Sequence, residues 1–315
     1  MMHQTLHTVT VTVTVAAAAA TVYEALSDVT LWPEIFTPTI HAEILGRDGE
    51  RQSIKLWAMA NGESKMWSSD RRLDNDKMTI DFQQTTPNHP IAFMSGRWSV
   101  NSLDERSCTV ALDHSYSAVD NDASALEWIG RAVDTNSTVE LAALKTYCEE
   151  KGTSEGPFKF SDSVESSADP ARIFEFLDRG DLWGERLAHV PSVSMETSDG
   201  GLQRLKMVTV THDGDSHVTE SIRISQPPAR LLYKQITLPE LLTLHTGVWT
   251  IAPAGELWKV TSQHTVRIDA SKIHAVLGNQ ATLRDAQELV RRNLGNNSLL
   301  TLKAAAKWAA EFARA

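Results

Sequence analysis

Residues 8–15 alternate strictly between threonine and valine, and this period of two is typical of a half-buried β-strand. Five alanines follow, after which apolar side chains recur at helical spacing, at Val22, Leu26 and Val29. A secretory signal would instead begin with Lys or Arg and end its apolar stretch at a small-residue cleavage site. We therefore expect the chain to start with a strand and a helix of a folded domain.

Landmarks of the first half of the chain recur in the second half at a nearly constant offset of 150 to 152 residues. The repeated pairs are Trp32 and Trp183, Ser69 and Ser221, Arg71 and Arg223, Trp98 and Trp249, and His114 and His264. A repeat of this length indicates a duplicated domain, because solenoid units span only about 20–50 residues. Gly, Ser and Pro between residues 151 and 157 mark a linker. The predicted domains are residues 1–152 and 157–315.

Each half has the same predicted order of elements. A first strand (8–15 or 158–165) leads to a short helical region that ends near Trp32 or Trp183. Several short strands separated by Gly- and Pro-containing turns follow, and a long helix closes each half, at about 123–151 and 282–314. Hairpin-linked strands form an antiparallel sheet, and one long helix covers one of its faces. The predicted class is α+β, with a curved sheet around a helix and a cavity between them.

The last strand of each half carries a histidine on an otherwise apolar face. His114 shares its face with Leu112, and His264 shares its face with Val260 and Val266, because alternate residues of a strand point to the same side. A single inward histidine is either a hydrogen-bonded core residue or a catalytic group. The repeat of this histidine in both halves does not decide between the two, because duplication copies structural residues as well.

A second alternation brings Trp67, Ser69 and Arg71 onto one face of a strand. Arginine is rarely buried without a partner, so an arginine on a cavity face needs a ligand oxygen, a carboxylate or water. A solvated outer face is the other interpretation, although Trp67 favours the inward one. The second half has Thr219 at the position of Trp67.

Composition narrows the class of function. The 315 residues carry a formal net charge of −10, whereas nucleic-acid binding requires an excess of Lys and Arg to displace counterions from phosphates. Two cysteines provide no disulfide framework, and no apolar run reaches the roughly 20 residues of a membrane span, so we expect a cytoplasmic protein that binds neither nucleic acid nor membrane. Nine tryptophans beside four tyrosines are unusual and suggest an aromatic-lined site.

Several familiar chemistries have no motif in this sequence. A Gly-rich phosphate loop and a nucleophile elbow are both missing, and the histidines do not have zinc-ligand spacing with a third ligand. His212 and His217 flank an Asp-Gly-Asp turn and are a weak candidate for a metal site. We expect no metal and no cofactor.

The chain resembles the aromatase/cyclases of bacterial type II polyketide synthesis, a group within the START/Bet v 1-like helix-grip superfamily. The residues that carry the resemblance are the run Trp32-Pro33-Glu34-Ile35-Phe36, the strand Trp67-x-Ser69-x-Arg71, and the segment from Ala92-Phe93-Met94 to Trp98. The resemblance covers both halves and implies the di-domain class. The sequence departs from the family pattern at Thr39, where the family has a tyrosine, and in the second half at Thr219 and Gly184, which replace a tryptophan and a proline.

The resemblance implies an activity and a set of site residues. A poly-β-ketone on an acyl carrier protein, already reduced at one ketone, would close its first ring by aldol attack between its seventh and twelfth carbons and then lose water. Trp32, Trp67 and Trp98 would line the pocket, Arg71 with Ser69 would hold the developing oxyanion, and His114 would move protons because its unperturbed pKa is near 6.5. Asn136 is a weaker candidate on the last helix. The equivalents in the second half are Ser221, Arg223, Trp249 and His264.

The implied partners are the acyl carrier protein and the other components of a minimal polyketide synthase, and a homodimer is left open. An acidic carrier would need a local basic patch, for which Arg71-Arg72 and Arg291-Arg292 are candidates. The alternative function is a non-catalytic carrier of a lipid, quinone or other hydrophobic ligand, since other helix-grip proteins bind such molecules. In that case Arg71 would anchor a polar head group.

Overall fold

The computed structural model describes residues 5–60, 62–153, 155–198, 200–210, 214 and 216–312. The chain divides into two compact units, residues 1–156 and 157–315, each with its own sheet and its own long helix. Within the described ranges, no helix has the length and apolar composition needed to cross a membrane. The turn residues Asn61, Asp199 and Asp213, and His212 of the weak metal candidate, lie outside the described residues.

The N-terminal unit is an antiparallel sheet that wraps around one long helix. Its strands are β1 (His7–Val15), β2 (Thr39–Asp48), β3 (Arg51–Ala60), β4 (Glu63–Asp74), β5 (Thr79–Gln84), β6 (Ile91–Asp104) and β7 (Ser107–Ala118). Its helices are α1 (Ala19–Ser27), α2 (Trp32–Ile35) and α3 (Ala123–Glu150). The strand order β1-β7-β6-β5-β4-β3-β2 follows from hairpins between successive strands, with β1 added beside β7. The predicted helical region near Trp32 is two helices joined by a 3₁₀ turn.

The C-terminal unit repeats this arrangement. Its strands are β8 (Phe158–Ser166), β9 (Ser192–Thr197), β10 (Leu202–Val210), β11 (Ser216–Gln226), β12 (Arg230–Thr237), β13 (Leu242–Ala254) and β14 (Leu257–Ile268). Its helices are α4 (Pro170–Asp178), α5 (Trp183–Arg186), α6 (Ile273–Leu277) and α7 (Leu283–Phe312). The strand order β8-β14-β13-β12-β11-β10-β9 matches that of the first sheet, so the predicted α+β class with two curved antiparallel sheets is confirmed.

The long helix α3 lies on the sheet through one apolar stripe. The buried residues of this helix recur every three or four positions, as expected for one face of an α-helix: Ile129, Val133, Ser137, Leu141, Leu144 and Cys148. Asp122 begins the helix, and its side chain accepts a hydrogen bond from the amide of Ala125 at 2.7 Å. The C-terminal half of the stripe joins the main apolar core, whereas its middle faces a cavity.

The repeated glycines Gly96 and Gly247 have a structural role in their sheets. Each pairs across strands with an aromatic residue, Phe82 on β5 and Tyr233 on β12. A Cβ atom on Gly96 would lie 2.3 Å from Cζ of Phe82, so the ring occupies the space that a side chain would need. These glycines therefore allow an aromatic ring to lie across the neighbouring strand on the concave face of the sheet.

Candidate active site

A cavity of about 170 Å³ lies between the concave face of the first sheet and α3. All six residues predicted for the N-terminal site line it: Trp32, Trp67, Ser69, Arg71, Trp98 and His114. They come from α2, β4, β6 and β7, so the fold brings together residues more than 80 positions apart in the chain. Asn136, the weaker candidate on α3, also lines the cavity, and its Nδ2 donates to the carbonyl oxygen of Met59 at 3.4 Å.

The strand β4 presents Trp67, Ser69 and Arg71 to the cavity because alternate residues share a face. Ser69 and Arg71 are buried, whereas Asp70 and Arg72 between and beside them are exposed. The inward orientation predicted from Trp67 is thus the one that the structure has. It also means that Arg71 cannot belong to a surface patch.

Arg71 is a buried cation with hydrogen-bond donors to spare. Its Nη2 donates to the carbonyl oxygen of Leu26 at 2.8 Å, and its guanidinium carbon lies 5.1 Å from the ring centroid of Trp32. Its Nε and Nη1 atoms are buried and have no hydrogen-bond partner among the described residues. Burial lowers the pKa of Arg71 to about 10, which still leaves the group positively charged at neutral pH. The guanidinium can therefore donate two hydrogen bonds to a bound oxygen atom.

The aromatic wall of this cavity is larger than the sequence indicated. Phe36, which follows α2, stacks on Trp98 with ring centroids 6.0 Å apart and meets Trp32 edge to face at 5.3 Å. Trp67 adds a half-buried surface from β4. The Nε1 atom of Trp32 is buried without a hydrogen-bond partner among the described residues. The wall therefore offers flat apolar surfaces together with an indole N–H that can donate to a ligand.

His114 is in the cavity, but its proton affinity differs from the value that the sequence suggested. Its Nδ1 lies 3.4 Å from Oγ of Ser137, and its ring meets Phe82 edge to face at 5.5 Å. Burial in these apolar surroundings lowers the pKa of His114 to about 4, instead of the unperturbed 6.5. The imidazole is therefore mostly neutral at pH 7, and the resting site holds little imidazolium.

Glu140 is a cavity residue that the sequence analysis missed. It lies on α3 four residues after Asn136, and it lines the same cavity. Burial raises the pKa of Glu140 to about 7, which places its proton exchange near neutral pH. Helical spacing from Val133 and Asn136 could have found this residue, because a side chain one turn further along α3 faces the same way.

The second unit contains a cavity of about 340 Å³, twice the volume of the first. Its lining includes all four residues predicted as equivalents: Ser221, Arg223, Trp249 and His264. Thr219 occupies the position of Trp67, and the loss of an indole accounts for part of the additional space. Trp183 and Trp249 remain in contact, with ring centroids 6.1 Å apart.

Arg223 is held differently from Arg71. Its Nη2 donates to the carbonyl oxygens of Leu177 and Asp178, and its Nη1 contacts Sδ of Met195 at 3.8 Å. A Cβ atom on Gly180 would lie 2.0 Å from Nη1, so the guanidinium rests in the space that this glycine leaves open. Both terminal nitrogens of Arg223 therefore have protein partners, which makes its guanidinium less available to a ligand than that of Arg71.

The second cavity also contains a hydrogen-bonded group that the sequence analysis did not predict. It consists of Tyr233, His245 and Ser298 around His264, and all four residues line the cavity. Cross-strand register brings them together, and no sequence motif marks them. Among the described residues, no group of three or more His, Cys, Asp or Glu side chains could hold a metal ion.

Comparisons with known proteins agree with this architecture. Residues 7–149 match the sequence model of a family described as polyketide cyclase/dehydrase and lipid transport. The chain is 38% identical over 308 residues to the granaticin polyketide synthase bifunctional cyclase/dehydratase of Streptomyces violaceoruber, covering 97% of this chain and 94% of the relative. It is 39% identical over 297 residues to the actinorhodin counterpart of Streptomyces coelicolor, covering 90% and 91%. The crystal structure of the di-domain ARO/CYC BexL, from the BE-7585A biosynthetic pathway, superposes with a TM-score of 0.89 at 42% identity, covering 96% of this chain and 98% of that one.

Proposed function

Because the chain belongs to the family of di-domain polyketide cyclase/dehydratases, we propose that it closes the first ring of a poly-β-ketone by aldol addition and then removes water. The proposed substrate is bound to an acyl carrier protein and is already reduced at one ketone, and the bond joins its seventh and twelfth carbons. We place ring closure in the N-terminal cavity. The observation that carries this assignment is Arg71, a buried cation that lines an aromatic-walled cavity and whose Nε and Nη1 have no hydrogen-bond partner among the described residues.

The cavity walls would decide which carbon atoms meet. A flexible poly-β-ketone has many conformations, and flat surfaces from Trp32, Trp67 and Trp98 restrict it to a few. Holding the two reacting carbons in contact can supply several kcal/mol of the barrier reduction, since effective molarities of oriented groups are large. The tryptophans therefore contribute to regiochemistry through shape, without taking part in bond making.

Arg71 would stabilise the charge that develops during the reaction. Loss of an α-proton gives an enolate, and attack on the ketone moves negative charge to the oxygen of the new alkoxide. A fixed guanidinium in a dry cavity stabilises such an oxygen without reorganising at the moment of reaction. Ser69 lies two residues away on the same face of β4 and lines the same wall of the cavity, where its hydroxyl is available to a second oxygen.

Proton transfer would be divided between two cavity residues. A base works best when its pKa lies near the working pH, and Glu140, with a pKa of about 7, meets this condition. Neutral His114 would instead orient a substrate oxygen or water by hydrogen bonding, with Ser137 on its Nδ1 side. The sequence analysis expected His114 to move protons, and this assignment differs because burial leaves little imidazolium at pH 7.

We expect Glu140→Gln to lower kcat for ring closure by about 100-fold, because an amide cannot accept the α-proton. The carboxylate form exists above its pKa, so the wild-type rate should fall as the pH drops below about 7. The rate of the Glu140→Gln variant should not show this fall at low pH. The measurement is kcat against pH for both proteins. Asp134→Asn, at an exposed position of the same helix, is the matched control. If Glu140→Gln shows the same fall in kcat at low pH as the wild type, Glu140 is not the base.

Docking of the carrier protein would use fewer arginines than the sequence suggested. Arg71 is buried in the cavity, and Arg291 forms a two-pronged ion pair with Asp162, at 2.8 and 2.9 Å, while its guanidinium lies over the ring of Phe160. Arg72 and Arg292 are the exposed members of the two pairs. Each unit therefore keeps one exposed arginine of its pair as a separate candidate for carrier docking.

The proposed function is tested by reconstitution with a minimal polyketide synthase, a ketoreductase and an acyl carrier protein. We expect the full-length protein to shift the products towards one ring-closed, dehydrated compound. The alternative of a non-catalytic carrier predicts the same mixture of products with and without the protein. That second result would refute the proposed enzyme activity.

A further inference from the structure

The C-terminal cavity differs from the N-terminal one around its histidine. Phe82, Met94 and Leu112 surround the position of His114 in the first sheet, and Tyr233, His245 and Ser262 occupy the corresponding positions in the second. Three apolar neighbours are thus replaced by three side chains that form hydrogen bonds. The serine on the long helix is present in both units, as Ser137 and Ser298.

The polar side chains form a continuous chain of contacts. Oη of Tyr233 lies 2.9 Å from Nδ1 of His264 and 3.1 Å from Nε2 of His245. On the other side of His264, Nε2 lies 2.8 Å from Oγ of Ser298 and 3.1 Å from Oγ of Ser262. His245 and His264 are each about 97% buried, whereas Tyr233 is half-buried, and all three residues line the cavity.

The contacts are compatible with an arrangement of protons in which Tyr233 donates to His264. Burial lowers the pKa of both histidines, that of His264 to about 3, so each imidazole is neutral and carries one N–H. If Nε2 of His264 donates to Ser298, then Nδ1 of His264 is an acceptor, and both Oη of Tyr233 and Nε2 of His245 lie 2.9 Å from it. In one of the two arrangements, Tyr233 donates its hydroxyl proton to this atom. Nε2 of His245 then donates to Oη of Tyr233. The remaining atom, Nδ1 of His245, is a bare lone pair, and it is the atom that has no partner among the described residues.

Other polar groups of this cavity are also ready for a ligand. Oγ1 of Thr209 and Oε1 of Gln235 are buried, line the cavity and have no hydrogen-bond partner among the described residues. Buried polar atoms without partners are costly, so such groups in a cavity indicate a ligand with several oxygen atoms. A ring-closed polyketide has ketone and hydroxyl oxygens at several positions and fits this chemistry.

We propose that Tyr233, held between His245 and His264, is the proton-transfer group of a second reaction site in the C-terminal cavity, which takes the ring-closed β-hydroxyketone and eliminates water from it. This proposal rests on the proposed function and divides its two steps between the two cavities. Tyr233 is the catalytic residue of the second site. His245 and Ser298 are positioning residues, because they act through Tyr233 and His264.

The elimination uses one proton and needs no further reactant. In the first step the C–H bond next to the ketone breaks, its electron pair forms the enolate, and the proton moves to Oη of Tyr233 while the hydroxyl proton of Tyr233 moves to Nδ1 of His264. In the second step the enolate electrons form the C=C bond and the C–O bond breaks with its electron pair. Tyr233 then protonates the departing oxygen and recovers its proton from His264. The products are an enone and water.

The low basicity of His264 suits the second step more than the first. Once protonated, an imidazolium with so low a pKa is a strong acid, and it returns its proton readily through Tyr233 to the departing hydroxyl. Expulsion of hydroxide is otherwise slow at neutral pH. The same burial keeps the site in one protonation state at neutral pH.

The substitutions for the test are taken from the corresponding positions of the first unit. Tyr233→Phe and His245→Met each introduce the residue that the N-terminal copy has at that position, so both side chains have a precedent in this fold. Tyr147→Phe is the control for loss of a hydroxyl, since Tyr147 packs on the N-terminal core and lines neither cavity. The full-length proteins are compared in the reconstituted synthase, with products followed by mass spectrometry over time.

We expect Tyr233→Phe to slow the loss of water by about 100-fold and to accumulate a ring-closed product that is heavier by one water. His245→Met should slow the same step by about 10-fold, with ring closure unchanged. The second site is refuted if both variants form dehydrated product at the wild-type rate. It is also refuted if Tyr233→Phe no longer closes the ring. Failure of the proposed function is distinguishable, because the wild-type protein would then leave the product mixture unchanged.

Discussion

Replacing Arg71 by alanine is expected to lower the rate of ring closure by about 100- to 1000-fold, the loss typical of removing an oxyanion-stabilising donor. Arg71 lines the aromatic cavity of the N-terminal unit, and its Nε and Nη1 have no hydrogen-bond partner among the described residues. Neither water nor a neutral side chain can replace a fixed charge there. The measurement is kcat and kcat/KM for ring closure of the carrier-bound substrate. Both should fall together, because the interaction strengthens as charge develops.

Two further variants separate chemistry from stability. Arg71→Lys keeps the charge but loses the planar fork, so we expect it to recover only part of the rate. Arg97→Ala on β6 is the matched control, because its side chain is exposed and pairs with Asp81, and it belongs to neither arginine pair considered for docking. Thermal unfolding of each protein shows whether the fold is retained. A folded Arg71→Ala protein that closes the ring at the wild-type rate would remove Arg71 from the mechanism.

Replacing Gly96 by alanine is expected to destabilise the N-terminal unit by about 3 kcal/mol, a large effect for one methyl group. The added Cβ would lie 2.2 Å from the carbonyl oxygen of Asp113 and 2.3 Å from Cζ of Phe82. The first of these atoms belongs to the backbone of β7, so rotation of a side chain cannot relieve the contact. Chemical denaturation followed by circular dichroism measures the free energy of unfolding.

Gly46→Ala is the control for this substitution. No atom lies within 4 Å of a Cβ at that position, and its φ is not in the left-handed region, so its free energy of unfolding should change by less than about 0.5 kcal/mol. Equal stability of Gly96→Ala and Gly46→Ala would contradict the close approach of Phe82 and β7 to Gly96. A Cβ atom on Gly247 would likewise come too close to the ring of Tyr233 on the neighbouring strand.

Local periodicity was sufficient to predict much of the site. Alternation along β4 placed Trp67, Ser69 and Arg71 on one face, and the repeat of landmarks predicted a second sheet with Ser221 and Arg223 at corresponding places. The first inference depends only on the geometry of a strand, and the second depends on the repeat in the sequence. The same rule also excludes Arg71 and Arg72 from one surface patch, because neighbouring residues of a strand point to opposite faces.

Proton affinities could not be predicted in this way. The pKa of His114 depends on how completely Phe82 and the surrounding apolar wall remove water from its imidazole, and that wall comes from strands distant in sequence. Glu140 has a raised pKa for the same reason. Side-chain type and spacing identify which groups can face a cavity, whereas desolvation is a property of the assembled unit.

The polar group of the second cavity illustrates a further limit. Tyr233, His245 and His264 lie on three successive strands, and their contacts depend on the register of two hairpins. A shift of one residue in either hairpin would turn a side chain to the other face. The sequence repeat marks residues that both halves share, whereas Tyr233 and His245 have Phe82 and Met94 as their counterparts in the first half.

The proposed function makes the protein a catalyst of ring closure, whereas a carrier would bind a hydrophobic molecule in stoichiometric amounts. The most direct measurement is the number of ring-closed product molecules formed per protein molecule when the protein is limiting in the reconstituted synthase. We predict many product molecules per protein, with one position of ring closure, and a proportional loss in Arg71→Ala. Catalysis is contradicted if the product never exceeds one molecule per protein molecule. It is also contradicted if the mixture of products is the same at every protein concentration.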